Sequence, residues 1–134
     1  MSYTVLNSAM SSTLLSDPEV AGLFSADADL VAMLDFEAAL AEAEAEAGVF
    51  SSRLAQQIAA ACRGFCPDMV RLDAGISRDG MAVPDLVAQL REAIGTEASK
   101  YLHFGATSQD VIDTSLTSRL QRVNQLLCLA KIWF

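Results

Sequence analysis

Basic residues are scarce in this sequence. Nine Lys and Arg stand against 17 Asp and Glu among 134 residues, which gives a net charge of −8. Nucleic-acid binding needs clustered basic side chains to contact phosphates, so we expect no nucleic-acid partner. A small anionic substrate stays compatible with this charge, because a helix N-terminus and a few hydrogen-bond donors bind an anion locally.

Cysteines and long apolar runs are also few. The three cysteines are Cys62, Cys66 and Cys128, an odd and sparse set that fits a reducing cytoplasm. Cys62 and Cys66 lie four residues apart on an expected helix, and we interpret them as buried structural residues rather than as part of a metal site. No apolar run approaches the roughly 20 residues that span a bilayer, so no membrane partner is expected. The opening residues lack a basic segment and predict no secretory signal.

Apolar residues are abundant, and their spacing is helical. They make up 52% of the chain although aromatic residues are only 7%, and the mean hydropathy is +0.32. Apolar residues recur at spacings of three and four and no strand pattern appears, which predicts an all-α fold. This composition exceeds what one small domain buries, so we expect a homo-oligomer or a missing remainder of the same chain.

Capping residues, glycines and prolines predict where the helices begin and end. Residues 1–16 are expected to form a loosely ordered lead-in. The predicted helices run from Ser16 or Asp17 to about Gly22, from Ser25 to Gly48, from Ser51 or Ser52 to about Arg63, from Asp68 to Ala74, from Pro84 to Ile94, over a turn at 96–100, and from Thr107 or Ser108 to the last residue. Gly75 is expected to close the fourth of these helices, and 76–83 to form a loop.

Two charged residues leave alternatives open. Glu37 lies between Phe36 and Ala38, and we favour a solvated carboxylate at the edge of a helix over a buried acid. Arg78 lies in the expected loop beside Asp79. Its guanidinium would either grip a substrate carboxylate through two parallel hydrogen bonds or form a weak surface pair; we retain it as a candidate substrate-binding residue.

The stretch from Tyr101 to Thr114, YLHFGATSQDVIDT, concentrates polar residues in a mostly apolar chain. It contains the only histidine, His103, which is able to titrate or donate near neutral pH. The segment 107–110, TSQD, fits a helix N-terminus whose amides and side-chain donors suit a carboxylate. The alternative is an ordinary capped helix after an ordinary loop.

The dodecamer HFGATSQDVIDT resembles the H-[FWY]-G-x-T-S-x-D-V-x-D-T segment of the fumarase/aspartase superfamily. Its GATSQD form is most similar to the 3-carboxy-cis,cis-muconate cycloisomerase family. The helix FSADADLVAMLDFEAALAEAEAEAGV has that family's L-x-x-M-L-x-x-E-x-A-L-A-x-A-E rhythm, and the resemblance covers about residues 16–125. It implies an N-terminal helical domain over 1–107 and the beginning of a central long-helix bundle over 108–134.

The resemblance also implies an activity. Members of the family are homotetramers without metal or organic cofactor, and each active site is assembled from three subunits. They interconvert 3-carboxy-cis,cis-muconate, a tricarboxylate, and 4-carboxymuconolactone in protocatechuate degradation. By match to the motif, Thr107 and Ser108 would bind a substrate carboxylate, with Gln109 and Asp110 in support. His103 would be the candidate catalytic residue, a donor that lines the site.

Parts of the family pattern are missing from this sequence. Neither the G-S-S-x-M-P-x-K-x-N loop with the catalytic serine nor the G-x-T-H-x-Q segment occurs. We therefore expect the front part of a longer chain, inactive alone. Adenylosuccinate lyase is an alternative within the superfamily, but its T-x-H-D element corresponds here to 81–85, MAVPD, without a histidine. A non-catalytic helical assembly module is the alternative of another class.

Overall fold

The chain folds entirely into helices over the residues that the structure, a computed structural model, describes: 17–130. The lead-in expected for residues 1–16 lies outside them. Six α-helices and one 3₁₀ helix follow one another: α1 Pro18–Leu23, α2 Ala26–Glu46, α3 Ser52–Gly64, α4 Met69–Asp79, α5 Val83–Ala93, the 3₁₀ helix Ala98–Lys100 and α6 Ser108–Ala130. The all-α prediction is confirmed for this part of the chain.

Side-chain caps fix the beginnings of the first two helices. The Asp17 carboxylate accepts hydrogen bonds from the backbone N–H of Glu19 and Val20, at 2.8 and 3.2 Å. The Ser25 hydroxyl accepts one from the N–H of Ala28 at 3.1 Å. Such caps satisfy amides that have no partner within the helix, which is why both starting positions could be predicted from sequence.

The prediction of a loop over 76–83 holds only for residues 80–82, which connect the two helices, and the predicted helix end at Gly75 is wrong. Helix α4 continues to Asp79 and ends at Gly80, whose φ of 75° lies in the left-handed region that glycine adopts without strain. Gly75 is buried because α4 and α5 approach closely there. A Cβ built at this position would lie only 2.7 Å from Cβ of Asp85. The glycine therefore serves helix packing rather than helix termination.

The core lies where α2 packs against α3 and α6, and where α5 closes over α3 and α4. Its larger apolar side chains with at most 1% of their surface exposed are Ile58, Val83, Leu86, Leu90, Leu102 and Val111. Burying one such side chain stabilises the fold by about 1.5–3 kcal/mol. Leu102 belongs to the turn before α6, so the core itself holds the segment that carries the only histidine.

A polar network ties α6 to the beginning of α2. Asp29 accepts hydrogen bonds from the hydroxyl of Ser115 at 2.7 Å and from the guanidinium of Arg119 at 2.5 Å. Arg119 also donates to the carbonyl of Leu23 and lies over the ring of Phe24. The hydroxyl of Ser115 is fully buried, so the network fixes how α6 lies along α2.

Several leucines of α6 are exposed instead of packing in the core. Leu116, Leu120 and Leu127 keep 40–54% of their surface. Within 17–130, no helix is long and apolar enough to cross a membrane.

The prediction of buried cysteines holds only for Cys62. It lies in α3, and burial together with the charge of Glu37 raises the pKa of its thiol to about 12. Cys66 follows the helix and is exposed, as is Cys128. Because α3 ends at Gly64, Cys62 and Cys66 do not share a helix.

Candidate active site

The segment between the 3₁₀ helix and α6 is held in an unusual backbone conformation. His103 has a φ of 58° and Gly105 a φ of 70°; the first is uncommon for a residue with a side chain. Leu102 is fully buried, and its carbonyl accepts a hydrogen bond from Arg91 at 3.0 Å. Packing on one side and a hydrogen bond on the other therefore maintain a conformation that costs about 1–3 kcal/mol.

His103 meets a buried carboxylate from α2. Its Nδ1 lies 2.6 Å from Oε1 of Glu37, and only 2% of the Glu37 surface is exposed. The prediction of a solvated edge carboxylate at Glu37 is therefore wrong. Burial of this charge is tolerable because an imidazole partner is supplied from 66 residues away in the chain.

Two carboxylates lie beneath the turn. Oε2 of Glu37 and Oε2 of Glu44 are both buried without a hydrogen-bond partner in the described chain. Burial, and then the charge of Glu37, raise the pKa of Glu44 above its usual value. Oε1 of Glu44 lies 3.6 Å from the position that a Cβ would take at Gly105, so the turn lies directly over this acidic pair.

The beginning of α6 forms the cap that the sequence predicts. The Asp110 carboxylate accepts hydrogen bonds from the N–H of Thr107 at 2.7 Å and from its hydroxyl at 2.9 Å. These two bonds, with a smaller contribution from His103, lower the pKa of Asp110. The donors of Thr107 are therefore occupied by a carboxylate of the chain itself.

The remaining donors belong to Ser108 and Gln109. The side-chain amide of Gln109 is engaged, since it donates to Asp113 at 2.6 Å. The Ser108 hydroxyl and the backbone N–H groups of Ser108 and Gln109 have no partner within 17–130. These three donors at the positive end of α6 suit one carboxylate group.

The hydrogen bonds of Arg78 are separate from this cluster. It is in the last turn of α4 rather than in a loop, and it donates two hydrogen bonds to Asp79, at 2.8 and 2.6 Å. This pairing lowers the pKa of Asp79. No hydrogen bond of Arg78 to His103 or to α6 is found in the described chain, and its role in substrate binding stays a prediction.

Glu37 and Glu44 are residues of this site that were not predicted from the sequence. The signal for Glu37 was its register on α2: Met33, Leu34 and Ala41 are buried on the same face, and Glu37 lies three or four residues from each of them. A carboxylate in a core register indicates a partner elsewhere in the chain. That partner could not be read from local pattern.

Residues 2–131 match the sequence profile of a protein family described as Lyase. The chain is 41% identical over 108 residues to 3-carboxy-cis,cis-muconate cycloisomerase of Pseudomonas aeruginosa, covering 78% of this chain and 24% of that protein. It is 40% identical over 101 residues to adenylosuccinate lyase of Methanothermobacter thermautotrophicus, covering 73% of this chain and 22% of that protein.

A solved structure shows the same arrangement of helices. The 3-carboxy-cis,cis-muconate lactonizing enzyme of Pseudomonas putida matches with a TM-score of 0.78 and 40% identity, over 84% of this chain and 26% of that one. The chain thus spans about a quarter of the length of these relatives. The profile match, the identities and the shared helices agree: the chain belongs to the lyase family of the fumarase/aspartase superfamily.

Proposed function

We propose that the chain supplies the carboxylate-binding corner of a cofactor-free cycloisomerase that interconverts 3-carboxy-cis,cis-muconate and 4-carboxymuconolactone in protocatechuate degradation. The observation that carries the proposal is the set of three unpaired donors at the start of α6, beside a histidine held by a buried carboxylate. In this role Ser108 and the amides bind a substrate carboxylate. Thr107 and Asp110 shape the helix end, and His103 lines the site as donor or proton carrier.

The motif and the relatives favour this substrate over adenylosuccinate. Cycloisomerases of Pseudomonas aeruginosa and Pseudomonas putida are among the relatives, and the solved lactonizing enzyme shares the fold. The T-x-H-D element of adenylosuccinate lyase corresponds in this chain to 81–85, MAVPD, which has no histidine. Asp85 there is buried in α5 and accepts a hydrogen bond from Gln89 at 2.7 Å, so it serves packing. Arg78 stays a candidate residue for binding a second substrate carboxylate, which would replace Asp79 as its hydrogen-bond partner.

The proposal is tested by NMR titration of the ¹⁵N-labelled 134-residue chain with 3-carboxy-cis,cis-muconate at neutral pH. Three hydrogen bonds to a carboxylate at about 3 kcal/mol each, minus an association cost of about 5 kcal/mol, leave about 4 kcal/mol, which corresponds to a Kd of about 1 mM. The amide signals of Ser108 and Gln109 should move on titration. Ser108→Ala should weaken binding roughly tenfold, since one charge-assisted bond is lost.

The matched control is Ser77→Ala, which removes an exposed serine of α4 and should leave the titration unchanged. Adenylosuccinate, added in place of the muconate, distinguishes the alternative lyase. If millimolar muconate moves neither amide, or if Ser108→Ala binds as well as the unaltered chain, the carboxylate-binding role is wrong. Loss of diene absorbance should not occur with the chain alone, because the serine-loop motif is absent from its sequence.

We propose further that the chain works as a cytoplasmic homotetramer. The exposed leucines of α6, Leu116, Leu120 and Leu127, support this assembly, and the three free cysteines fit a reducing compartment. The same face favours the alternative of a purely structural assembly module. Replacement of Leu120 and Leu127 by Glu should lower the sedimentation coefficient, whereas replacement of the exposed Val70 on α4 by Glu should not.

Oligomer formation that is insensitive to the leucine changes would refute the assembly role of this face. The two candidate functions differ in the histidine: a module without catalysis predicts that His103→Ala affects no ligand, whereas the cycloisomerase role predicts weaker binding of the muconate.

A further inference from the structure

We propose that Glu37 is a positioning residue for His103: its carboxylate accepts the Nδ1–H of the imidazole, fixes that tautomer, and leaves Nε2 as the atom presented to substrate. The inference deepens the proposed function and rests on it for the identity of the substrate. The assignment of the tautomer depends only on the contact between Glu37 and His103.

The geometry of the pair supports this assignment. A separation of 2.6 Å between Nδ1 and Oε1 is short, as expected for a hydrogen bond with an ionised partner. The imidazole is mostly buried, with 15% of its side chain exposed. Its Nε2 forms no hydrogen bond within residues 17–130 and is not among the buried unpaired atoms there. One ring nitrogen is therefore held by protein, and the other remains accessible.

Two energetically costly features meet at this single contact. A histidine with a φ of 58° and a nearly fully buried carboxylate are both unfavourable. A pair kept only for stability would be replaced by apolar residues at little or no cost. The backbone conformation of His103 orients its imidazole, and the buried carboxylate determines which ring nitrogen carries the proton.

The neighbouring groups leave Glu37 as the acceptor of the imidazole Nδ1–H. Glu44, beneath the turn, has a pKa raised by burial and by the charge of Glu37. Asp110 faces the imidazole from α6, but its carboxylate accepts hydrogen bonds from the N–H and the hydroxyl of Thr107, and its pKa is lowered. The thiol of Cys62, near Glu37, stays neutral, since its pKa is raised to about 12. Oε1 of Glu37 is therefore the carboxylate atom that Nδ1 contacts directly.

Because His103 is the only histidine, long-range ¹H–¹⁵N NMR of the whole chain reports its two ring nitrogens without ambiguity. In the neutral form of the ring, reached by raising the pH until both ring-nitrogen shifts stop changing, the expected spectrum shows a protonated Nδ1 and an unprotonated Nε2. A charge-assisted bond predicts an excess of this tautomer of roughly tenfold or more. A spectrum with the proton on Nε2 overturns the proposal.

Variants separate positioning from mere stability. Glu37→Ala should abolish the tautomer preference, and Glu37→Gln, which keeps the volume, should reduce it at least severalfold; Glu46→Gln on the exposed face of α2 should leave it intact. A preference that survives Glu37→Gln and Glu37→Ala refutes the role. If either variant fails to fold, the spectrum of the unaltered chain still decides. A proton on Nδ1 without any response to muconate would refute the proposed function and leave the positioning role intact. A response to muconate with the proton on Nε2 would refute the positioning role alone.

Discussion

Replacement of Gly75 by Ala tests the packing of α4 against α5. Two effects oppose each other. Alanine is favoured over glycine inside a helix by about 0.8–1.0 kcal/mol. The added Cβ, however, would lie 2.7 Å from Cβ and 3.3 Å from Cγ of Asp85, and neither atom is the free end of a flexible side chain. The two helices must therefore move apart.

Overpacking of this kind costs about 1–3 kcal/mol, and the contact is close enough to place the cost near the upper limit. We expect Gly75→Ala to lower the free energy of unfolding by about 1–2 kcal/mol after the gain in helix propensity. Chemical denaturation at neutral pH measures this change directly.

The matched control is Gly64→Ala. Gly64 is also helical, but a Cβ there meets nothing within 4 Å, so this change should be neutral or stabilising by up to about 1 kcal/mol. Equal effects of the two substitutions, or a more stable Gly75→Ala variant, would contradict the close approach of α4 and α5.

Maleimide at neutral pH should modify two of the three cysteines rapidly and spare Cys62, whose thiol has a pKa of about 12; mass spectrometry of the labelled native chain would contradict this by finding three rapid additions. Leu90→Ala should lower the free energy of unfolding by about 2–5 kcal/mol, because Leu90 is fully buried; a loss below about 1 kcal/mol in denaturation would be inconsistent with its place in the core. Asp110→Asn should lower the Tm at neutral pH, and the difference should vanish as the pH falls below the ordinary value of 3.8, since a lowered pKa contributes stability only where the carboxylate is ionised. Glu44→Gln should raise the Tm above pH 4.5 and have no effect below it, because a raised pKa removes stability as the carboxyl ionises; a Tm gain that is independent of pH would refute this cause.

Local signals in the sequence were sufficient for much of the fold. Caps such as Asp17 and Ser25 satisfy amides within three residues, so their pattern alone predicts where a helix begins. The bond from Thr107 to Asp110 is equally local, and it lies within the TSQD segment whose pattern predicts a helix N-terminus. The division at residue 107 into two domains stays a prediction.

The errors arose where distant segments meet. Gly75 resembled a helix end because glycine commonly follows one, but the close approach of α5 explains it. Glu37 resembled a surface carboxylate because its partner is 66 residues away. Pairing across such a distance depends on how helices pack, which periodicity within one helix does not encode.

The most direct test of the central claim follows the two ring nitrogens of His103 while 3-carboxy-cis,cis-muconate is added to the 134-residue chain. The account predicts that Nε2 shifts together with the amide of Ser108, while Nδ1 keeps the position set by Glu37. If Nδ1 moves and Nε2 does not, or if neither responds at millimolar substrate, His103 does not present Nε2 to a carboxylate substrate at the start of α6.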